Sequence, residues 1–327
     1  MFRVAILDDY QETALRLADW ASLHPQAEFT VFNTHIADRE TLAKRLHDCD
    51  AIVAMRERTP FPAALLERLP NLKLLITAGM RNAAIDIDAA ASRGVTVCGT
   101  DMLPYPTAEL TWGLILAFAR NIAREDRALR EGYGREGKWQ TTIGTGLKGK
   151  TLGLVGLGKL GAQVAAVGKA FGMAAIAWSQ NLTEEHAASV GVRRVDKATL
   201  FAEADVISIH LVLGERTRAL VKAEDLARMK KTAFLVNTSR CPIVEEPALI
   251  AALAEERIAG AAIDVYDNEP LPADHRLRRL GNTVLTPHLG YVTVENYRLV
   301  YGQAVEAIAA YLADAPVRVL AKPGGTT

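Results

Sequence analysis

The 327-residue sequence has few cysteines, no excess of charge of either sign and no long apolar run. Its three cysteines, Cys49, Cys98 and Cys241, are far apart and form no Cys-x-x-Cys pair, so neither a disulfide framework nor a metal site is expected. Lysine plus arginine equals aspartate plus glutamate at 38 each, which leaves no net field to attract nucleic acid or an anionic membrane. The apolar runs are too short to span a bilayer, and the N-terminal MFRVAILDDY turns acidic where a signal peptide would stay apolar. These absences predict a soluble cytoplasmic protein with neither nucleic acid nor membrane as partner.

What the sequence does contain is an alternation of short β-branched segments and amphipathic helical patterns. Strands separated by helices of this length form right-handed βαβ units around a parallel sheet. The predicted strands are Arg3–Asp8, Glu28–Phe32, Ala51–Met55, Leu72–Thr77 and Val95–Cys98, followed by Thr151–Val155, Ala174–Trp178, Val206–His210, Ala233–Asn237, Ala261–Val265 and Thr283–Thr286. We therefore predict an α/β protein with two doubly wound domains, in agreement with a length that suits about two domains.

Three segments indicate where the domains begin and end. The Pro-rich LPYP at Leu103–Pro106 suits a crossing between domains, and Thr107–Ala128 after it predicts one long helix. The last helical pattern, Val294–Leu312, follows the final strand of the second series and is expected to pack back on the first domain. The predicted domains are therefore 1–102 plus 294–327 for substrate and 103–293 for a dinucleotide, with a loose tail at Ala321–Thr327.

The pattern Gly-x-Gly-x-x-Gly occurs twice, with different contexts. Gly132–Gly137 follows a charged helix end rather than a strand, and we give it no weight. Gly156-Leu-Gly158-Lys-Leu-Gly161 follows the buried strand TLGLV and begins the helix GAQVAAVGKAFG. In that context the glycines permit a tight turn, close approach of the pyrophosphate and close packing of helix on strand. The second pattern predicts a dinucleotide site.

The strand that follows this helix lacks the acidic residue that would bind the adenosine ribose and repel a 2′-phosphate. It ends in Ser179-Gln180-Asn181, and Arg193 and Arg194 come later in the chain. The sequence leaves NAD and NADP both open, and we expect the phosphorylated cofactor to be used at least comparably.

Chemically distinct side chains follow the last three strands. Arg240 comes after AFLVN, Glu269 after AAIDV and His288 after TVLT. An arginine holds a carboxylate bidentately, an imidazolium delivers a proton to a carbonyl oxygen, and a carboxylate beside it orients the imidazole and favours its protonated form. Because ligands bind at the carboxyl ends of parallel strands, this set predicts reduction of a 2-keto acid.

These motifs occur in an order and at spacings that resemble the D-2-hydroxyacid dehydrogenase family. The stretches that carry the resemblance are LKGKTLGLVGLGKLGAQVA, ADVISIHL, MKKTAFLVNTSRCPIVEEPALIAAL, IAGAAIDVYDNEPLP and LTPHLG. The resemblance implies a Rossmann domain inserted in a flavodoxin-like substrate domain, NAD(P)-dependent hydride transfer, catalysis by Arg240, Glu269 and His288, and a homodimer. It implies cofactor contacts at Gly156, Gly158, Lys159, Leu160, Gly161, Ser179, Gln180, Thr238, Asp264 and Gly290. His210 is either a further cofactor contact or a packed strand-end histidine.

The same resemblance places substrate contacts on a first-domain loop whose sequence departs from the family. The loop reads Gly79-Met80-Arg81-Asn82 where the family usually has Gly-x-Gly before Asp-Asn, and backbone N–H groups there are expected to take the substrate carboxylate. Arg56 and Arg81 are either surface ion-pair partners or ligands of a second anionic group. A second departure is Cys241, which replaces the usual Gly after the arginine. We expect a backbone there that tolerates a Cβ, and a lowered thiol pKa from the nearby Arg240 as a hypothesis.

Proteins with other functions are alternatives to this reading. A nucleotide-sensing regulatory protein is the alternative from another class, since co-repressors of the C-terminal-binding type resemble this fold and keep the three residues. This sequence supplies no added docking segment for that role. Formate dehydrogenases place Gln beside the histidine, so Glu269 disfavours that reaction, and the long phosphoglycerate dehydrogenases carry a regulatory domain that is not expected here.

Overall fold

The computed structural model describes residues 1–132 and 139–323, which form two compact α/β units. Unit 1 contains Met1–Leu103 and the chain from Val292 onward, and unit 2 is Pro104–Tyr291. Most of the dismissed pattern Gly132–Gly137 lies outside the described residues. Among the helices described, none has both the length and the apolar character needed to cross a membrane.

Unit 1 is built on a six-stranded sheet with the order β13-β5-β4-β3-β1-β2, in which only β13 is antiparallel. Its strands are β1 (Phe2–Ile6), β2 (Ala27–Val31), β3 (Ala51–Ala54), β4 (Leu74–Thr77), β5 (Thr96–Gly99) and β13 (Val319–Ala321). Its helices are α1 (Ala14–Leu17), α2 (Arg39–Leu46), α3 (Ala63–Leu66), α4 (Ile87–Ser92) and α12 (Val294–Leu312). The 2-1-3-4-5 order of the parallel strands is the flavodoxin-like arrangement, whose switch point lies between β1 and β3.

Local chemistry explains where these elements begin and pack. Asp38 and Asp86 cap α2 and α4, because each carboxylate accepts a hydrogen bond from the third backbone N–H of its helix. Strands β3, β4 and β5 are buried along their whole length, as expected for strands covered on both faces. Helix α12 belongs to this unit, where fully buried Tyr301 packs with Trp20 at 6.2 Å between ring centroids.

Unit 2 is built on a seven-stranded parallel sheet with the order β12-β11-β10-β9-β6-β7-β8. Its strands are β6 (Thr151–Val155), β7 (Ala174–Trp178), β8 (Arg193–Arg194), β9 (Val206–Ile209), β10 (Phe234–Asn237), β11 (Gly260–Ile263) and β12 (Thr283–Leu285). Its helices are α5 (Pro106–Ala119), α6 (Ile122–Arg130), α7 (Lys159–Ala170), α8 (Glu184–Ser189), α9 (Lys197–Glu203), α10 (Ala223–Arg228) and α11 (Glu246–Ala254). The order reverses between β6 and β9, the switch point at which such sheets bind dinucleotides.

The predicted fold class is therefore confirmed, but two local predictions are wrong and one short strand was missed. Thr107–Ala128 is two helices, because Asn121 adopts the left-handed conformation (φ 54°) that asparagine tolerates better than most residues and so ends α5. The two-residue strand β8 was not predicted, since two adjacent arginines give no alternating pattern. Ala321 was expected in a loose tail, but it pairs with Val97 as the end of β13 and is buried.

Candidate active site

The glycine-rich turn connects β6 to α7 at the switch point of unit 2, and two of its glycines exclude any side chain. Gly156 has φ +102°, and a Cβ there would lie 2.5 Å from the His210 carbonyl oxygen. A Cβ on Gly161 would collide with the carbonyl oxygen of Gly156. A Cβ on Gly158, the N-cap of α7, would meet no atom within 4 Å. The turn therefore has free space at Gly158, before the first N–H groups of a 12-residue helix, which fits a pyrophosphate. Lys159 and Leu160 form the first turn of α7 beside this space.

The adenosine end of such a site lies after β7, where Ser179 and Gln180 are found and no carboxylate follows the strand. The neighbouring strand β8 carries two arginines with different partners. Arg194 donates from Nε to the Leu182 carbonyl (2.8 Å) and pairs with Glu184 (3.1 Å), so its guanidinium lies over the segment that follows Gln180. Arg193 pairs instead with Glu203 at the end of α9 (2.5 Å).

His210 follows β9, and its backbone carbonyl lies against Gly156 of the glycine-rich turn. Its Nε2 lies 2.9 Å from Ser208 Oγ, and its buried Nδ1 has no hydrogen-bond partner among the residues that the structure describes. Burial lowers the pKa of His210 to about 4, so the ring is neutral at physiological pH. Both expectations for His210, a cofactor contact and a packed histidine, remain compatible with this position.

The predicted catalytic residues follow three neighbouring strands of one parallel sheet. Arg240 comes after β10, Glu269 after β11 and His288 after β12, so all three lie at the carboxyl edge. The Arg240 guanidinium donates from Nη1 to the Ser239 carbonyl (2.8 Å), and the Arg240 carbonyl accepts from Asn237 Nδ2 (3.1 Å). These contacts hold the backbone at the end of β10.

Glu269 and His288 are in direct contact. His288 Nδ1 lies 2.6 Å from Glu269 Oε2, while the other carboxylate oxygen accepts a hydrogen bond from the Tyr266 backbone N–H (2.8 Å). The His288 side chain is 20% exposed and the Glu269 side chain is 31% exposed. The pair is therefore partly desolvated and still accessible to a ligand. The Tyr291 ring packs edge-on against the imidazole at 5.5 Å. With Nδ1 held by the carboxylate, Nε2 is the nitrogen left to exchange a proton with a ligand.

The loop that carries His288 is held by Asp264, which follows β11 and is fully buried. Oδ1 accepts from Thr286 Oγ1 (2.6 Å) and the Leu289 N–H (2.7 Å), and Oδ2 accepts from the Gly290 N–H (2.9 Å). Burial raises the pKa of Asp264 despite these hydrogen bonds. Asp264 and Gly290, both predicted as cofactor contacts, thus also fix the His288 loop.

Thr238, another predicted cofactor contact, is buried at the end of β10, with its hydroxyl 2.9 Å from Thr111 on α5. The sequence interpretation missed Tyr266, Thr286 and Tyr291 as neighbours of the acid–base pair. Nothing in their spacing signals these contacts, which depend on how the ends of β11 and β12 turn.

In unit 1, the loop after β4 brings the predicted Gly79 and Arg56 together. Gly79 has φ +92°, and a Cβ there would collide with Arg56 Nη1. Arg56 Nη1 in turn donates to the Ala78 carbonyl (3.3 Å). The Gly79 N–H donates to Thr100 Oγ1 (3.1 Å), whereas the N–H groups of Met80 and Arg81 have no acceptor within residues 1–132 and 139–323.

Arg81 and Met80 are both exposed, and the described part of the chain offers the Arg81 guanidinium no ion-pair partner. Asn82 braces the loop from inside the unit, donating to the Arg56 carbonyl (2.7 Å) and to Thr77 Oγ1 (2.8 Å).

The hypothesis of a lowered thiol pKa at Cys241 is wrong. Cys241 is buried, and its pKa is raised by burial and by the nearby carboxylates of Glu246 and Asp267. The expected tolerance of a Cβ is confirmed, because Cys241 begins a short right-handed 3₁₀ helix, Cys241–Ile243, with no positive φ.

A glycine-rich turn with space for a pyrophosphate and a histidine–carboxylate contact at the carboxyl edge of one parallel sheet are typical of nucleotide-dependent oxidoreductases, and comparison with known proteins agrees. The family described as "D-isomer specific 2-hydroxyacid dehydrogenase, NAD binding domain" matches residues 112–290. The chain belongs to this family and is an NAD(P)-dependent oxidoreductase that acts on CH–OH donors. This result favours the enzyme over the regulatory alternative.

Three relatives illustrate the similarity. Glyoxylate reductase of Korarchaeum cryptofilum is 36% identical over 84% of this chain and 82% of its own length. Hydroxypyruvate reductase of Thermotoga maritima is 36% identical over 94% of this chain and 97% of its own. The crystal structure of a phosphoglycerate oxidoreductase from Vibrio cholerae o395 is 38% identical and superposes with a TM-score of 0.91, covering 96% of this chain and all of that one.

Proposed function

We propose that this enzyme reduces a short 2-keto acid, of the size of glyoxylate or hydroxypyruvate, to the corresponding D-2-hydroxy acid. Relatives similar over most of the chain carry the names of reductases for these two substrates. A bound nicotinamide supplies the hydride in this direction and takes it back in the other.

His288 is proposed as the proton donor to the carbonyl oxygen, from Nε2, and as the acceptor in the oxidation. Glu269 holds the ring by Nδ1, which fixes the orientation of the imidazole and leaves Nε2 for the substrate. Arg240 is proposed to bind the substrate carboxylate and to polarise the carbonyl, which a planar guanidinium does better than an ammonium group.

The observation that carries this proposal is the 2.6 Å contact between His288 Nδ1 and Glu269 Oε2 at the carboxyl edge of the sheet. A histidine needs this geometry if the opposite nitrogen is to exchange a proton in a fixed direction. Glu269 and His288 follow the neighbouring strands β11 and β12, and Arg240 follows β10 on the other side of β11. The glycine-rich turn follows β6 at the same edge of the sheet.

The proposal is tested by assaying NADH and NADPH oxidation with glyoxylate, hydroxypyruvate and phenylpyruvate. Wild type is expected to turn over at least one of the two shorter acids, while Arg240→Gln raises KM and lowers kcat for it together. Absence of turnover with all three acids and both cofactors would refute the proposed substrate class.

We further propose that the loop at Gly79–Arg81 binds a carboxylate through backbone N–H groups. Because the Gly79 N–H already donates to Thr100, the available donors are those of Met80 and Arg81. Arg56 supports the loop through the Ala78 carbonyl, and the loop turns at Gly79, which has a positive φ. Successive backbone N–H groups at such a turn commonly bind anions.

Arg81 is proposed to bind a second anionic group when the substrate has one. Its exposed guanidinium provides the chemistry for this role. Arg81→Ala should raise KM for a dianionic 2-keto acid such as oxaloacetate more than for glyoxylate. Arg93→Ala, at the exposed C-cap of α4 in the same unit, provides the matched control and should affect neither substrate. Equal effects of Arg81→Ala on both substrates would remove the hypothesis.

NADP is proposed to bind at least as well as NAD, with Arg194 near the 2′-phosphate. The lack of a carboxylate after β7 removes the group that would repel this phosphate, and Arg194 lies over the segment that follows Gln180. Arg194→Gln should therefore weaken NADPH binding about 10-fold relative to NADH in fluorescence titrations. The matched control is Arg193→Gln, whose guanidinium pairs with Glu203, and it should leave the ratio unchanged. An unaltered ratio in Arg194→Gln would contradict the assignment.

A cytoplasmic homodimer associated through unit 2 is the proposed state of the enzyme. Helix α6 buries none of its residues within the unit and exposes Ile122 and Leu129 by more than half. Trp139 and Ile143 are also largely exposed, and such apolar surface commonly marks an interface. Leu129→Glu should convert the dimer to a monomer in light scattering, and a wild-type monomer would contradict the proposal. The three free, buried cysteines suit a reducing compartment.

A further inference from the structure

Tyr266 is a residue with no assigned role that contacts Glu269 and the strand end that precedes His288. It lies three residues after β11 and is 8% exposed. Its backbone N–H donates to Glu269 Oε1 (2.8 Å), the carboxylate oxygen that does not face His288. Its side chain points the other way, toward the end of β12. One residue therefore links the two strand ends that carry Glu269 and His288.

The Tyr266 hydroxyl lies between two backbone carbonyls, one at the end of each strand. It is 3.1 Å from the Ile263 carbonyl oxygen and 3.0 Å from that of Thr286. Both carbonyls have a second donor, because the Thr286 N–H donates to Ile263 (3.0 Å) and the His288 N–H donates to Thr286 (3.1 Å). The hydroxyl thus closes a network that continues into the backbone of His288.

The backbone at His288 needs such support. Its φ is +55°, a left-handed conformation that costs a residue with a Cβ about 1–2 kcal/mol and persists only where the surroundings enforce it. Asp264 holds the residues after His288, Leu289 and Gly290, and the Thr286 hydroxyl before it. The Tyr266 hydroxyl adds a side-chain donor to the Thr286 carbonyl, beside the His288 N–H. Burial raises the pKa of Tyr266, so this hydroxyl stays protonated and can donate.

We propose that Tyr266 is a positioning residue, which sets the distance and angle between Glu269 and His288 by fixing the carboxylate through its backbone and the histidine through its hydroxyl. This inference rests on the proposed acid–base roles of the pair. A ring without the hydroxyl would fill the same space but leave the Thr286–His288 segment free to shift relative to Glu269. A shift of about a few tenths of an ångström would weaken the 2.6 Å contact between His288 Nδ1 and Glu269 Oε2.

Tyr266→Phe tests the proposal, because it removes only the hydroxyl. The two carbonyls keep their backbone donors, so the loss of stability should be small, about 1 kcal/mol. We expect kcat for keto-acid reduction to fall about 10-fold, with the Kd for NADPH unchanged. We also expect KM for the keto acid to change much less than kcat, because Arg240, the proposed substrate ligand, keeps its contacts.

The matched control is Thr283→Val at the opposite end of β12. The Thr283 hydroxyl donates to the Leu280 carbonyl (3.0 Å), so this variant also loses one side-chain hydrogen bond on the same strand. It should lower Tm by a similar amount while leaving kcat and KM unchanged. If Tyr266→Phe keeps the kcat of wild type, or raises KM as much as it lowers kcat, the positioning role is refuted. Retention of wild-type rates by His288→Asn would instead refute the acid–base proposal itself.

Discussion

Glu269→Gln probes the acid–base pair without removing its hydrogen bonds. Glutamine keeps an oxygen that accepts from the Tyr266 N–H, and its amide still fills the space beside His288, but the negative charge is gone. A charge-assisted hydrogen bond at 2.6 Å in a partly buried pair contributes about 1.5–3 kcal/mol. The loss corresponds to roughly 10- to 150-fold in a rate that depends on the imidazolium form.

The effect should appear in both directions of the reaction. Reduction takes a proton from His288 and oxidation returns one to it, so both need the imidazole held in one orientation. Because a neutral amide holds the ring less firmly than the carboxylate does, we expect kcat to fall in reduction and in oxidation.

The assay is the initial rate in both directions between pH 6 and pH 9, with Glu255→Gln as the control. Glu255 is an exposed glutamate of the same unit, at the C-cap of α11, and its loss should change neither direction. Equal kcat values for wild type and Glu269→Gln in reduction at alkaline pH would refute the role assigned to this carboxylate.

Three further outcomes follow from the geometry of the two units. Gly158→Ala should fold as wild type, because its Cβ meets no other atom, but should bind NADPH at least 10-fold more weakly, because the Cβ occupies the space for the pyrophosphate. Gly156→Ala should lower Tm as well. Normal NADPH titrations of Gly158→Ala would be inconsistent with a pyrophosphate there. His210, whose pKa falls from 6.5 to about 4 in the fold, stabilises the protein above pH 6.5, and about 3 kcal/mol of unfolding free energy should be lost as the pH falls to 4. In urea titrations, the control variant His47→Gln, which removes an exposed ring, should still lose this unfolding free energy as the pH falls. His210→Asn should not lose it. Gly79→Ala should raise KM for the keto acid in steady-state assays, because its Cβ would collide with Arg56 and disturb the loop. NADPH binding, measured by stopped flow, should stay intact.

The parallel sheets could be predicted because their signals are local and repeated. Strands such as Thr151–Val155 and Val206–Ile209 are mostly apolar, are buried over most or all of their length and alternate with helical patterns, so their type and order follow from the sequence. The break between α5 and α6 at Asn121 was missed because an asparagine within an amphipathic pattern does not by itself mark the end of a helix. Only the backbone conformation shows its left-handed φ.

The candidate site was predictable to a different degree. The spacing of Arg240, Glu269 and His288 after consecutive strands indicated a common edge, and the contact between the last two agrees with that expectation. The hydroxyl of Tyr266 could not be assigned in this way, because its contacts depend on how two loops turn after their strands. The sign of the pKa shift at Cys241 was wrong for a similar reason: proximity in sequence to Arg240 carried no information about burial or about Glu246.

Single-turnover reduction by His288→Asn, with NADPH already bound, measures proton delivery most directly. A loss of at least about 1000-fold in rate with an unchanged NADPH dissociation constant is the expected result. A rate within a few-fold of wild type, or a loss explained entirely by weaker NADPH binding, would show that the proton comes from another group.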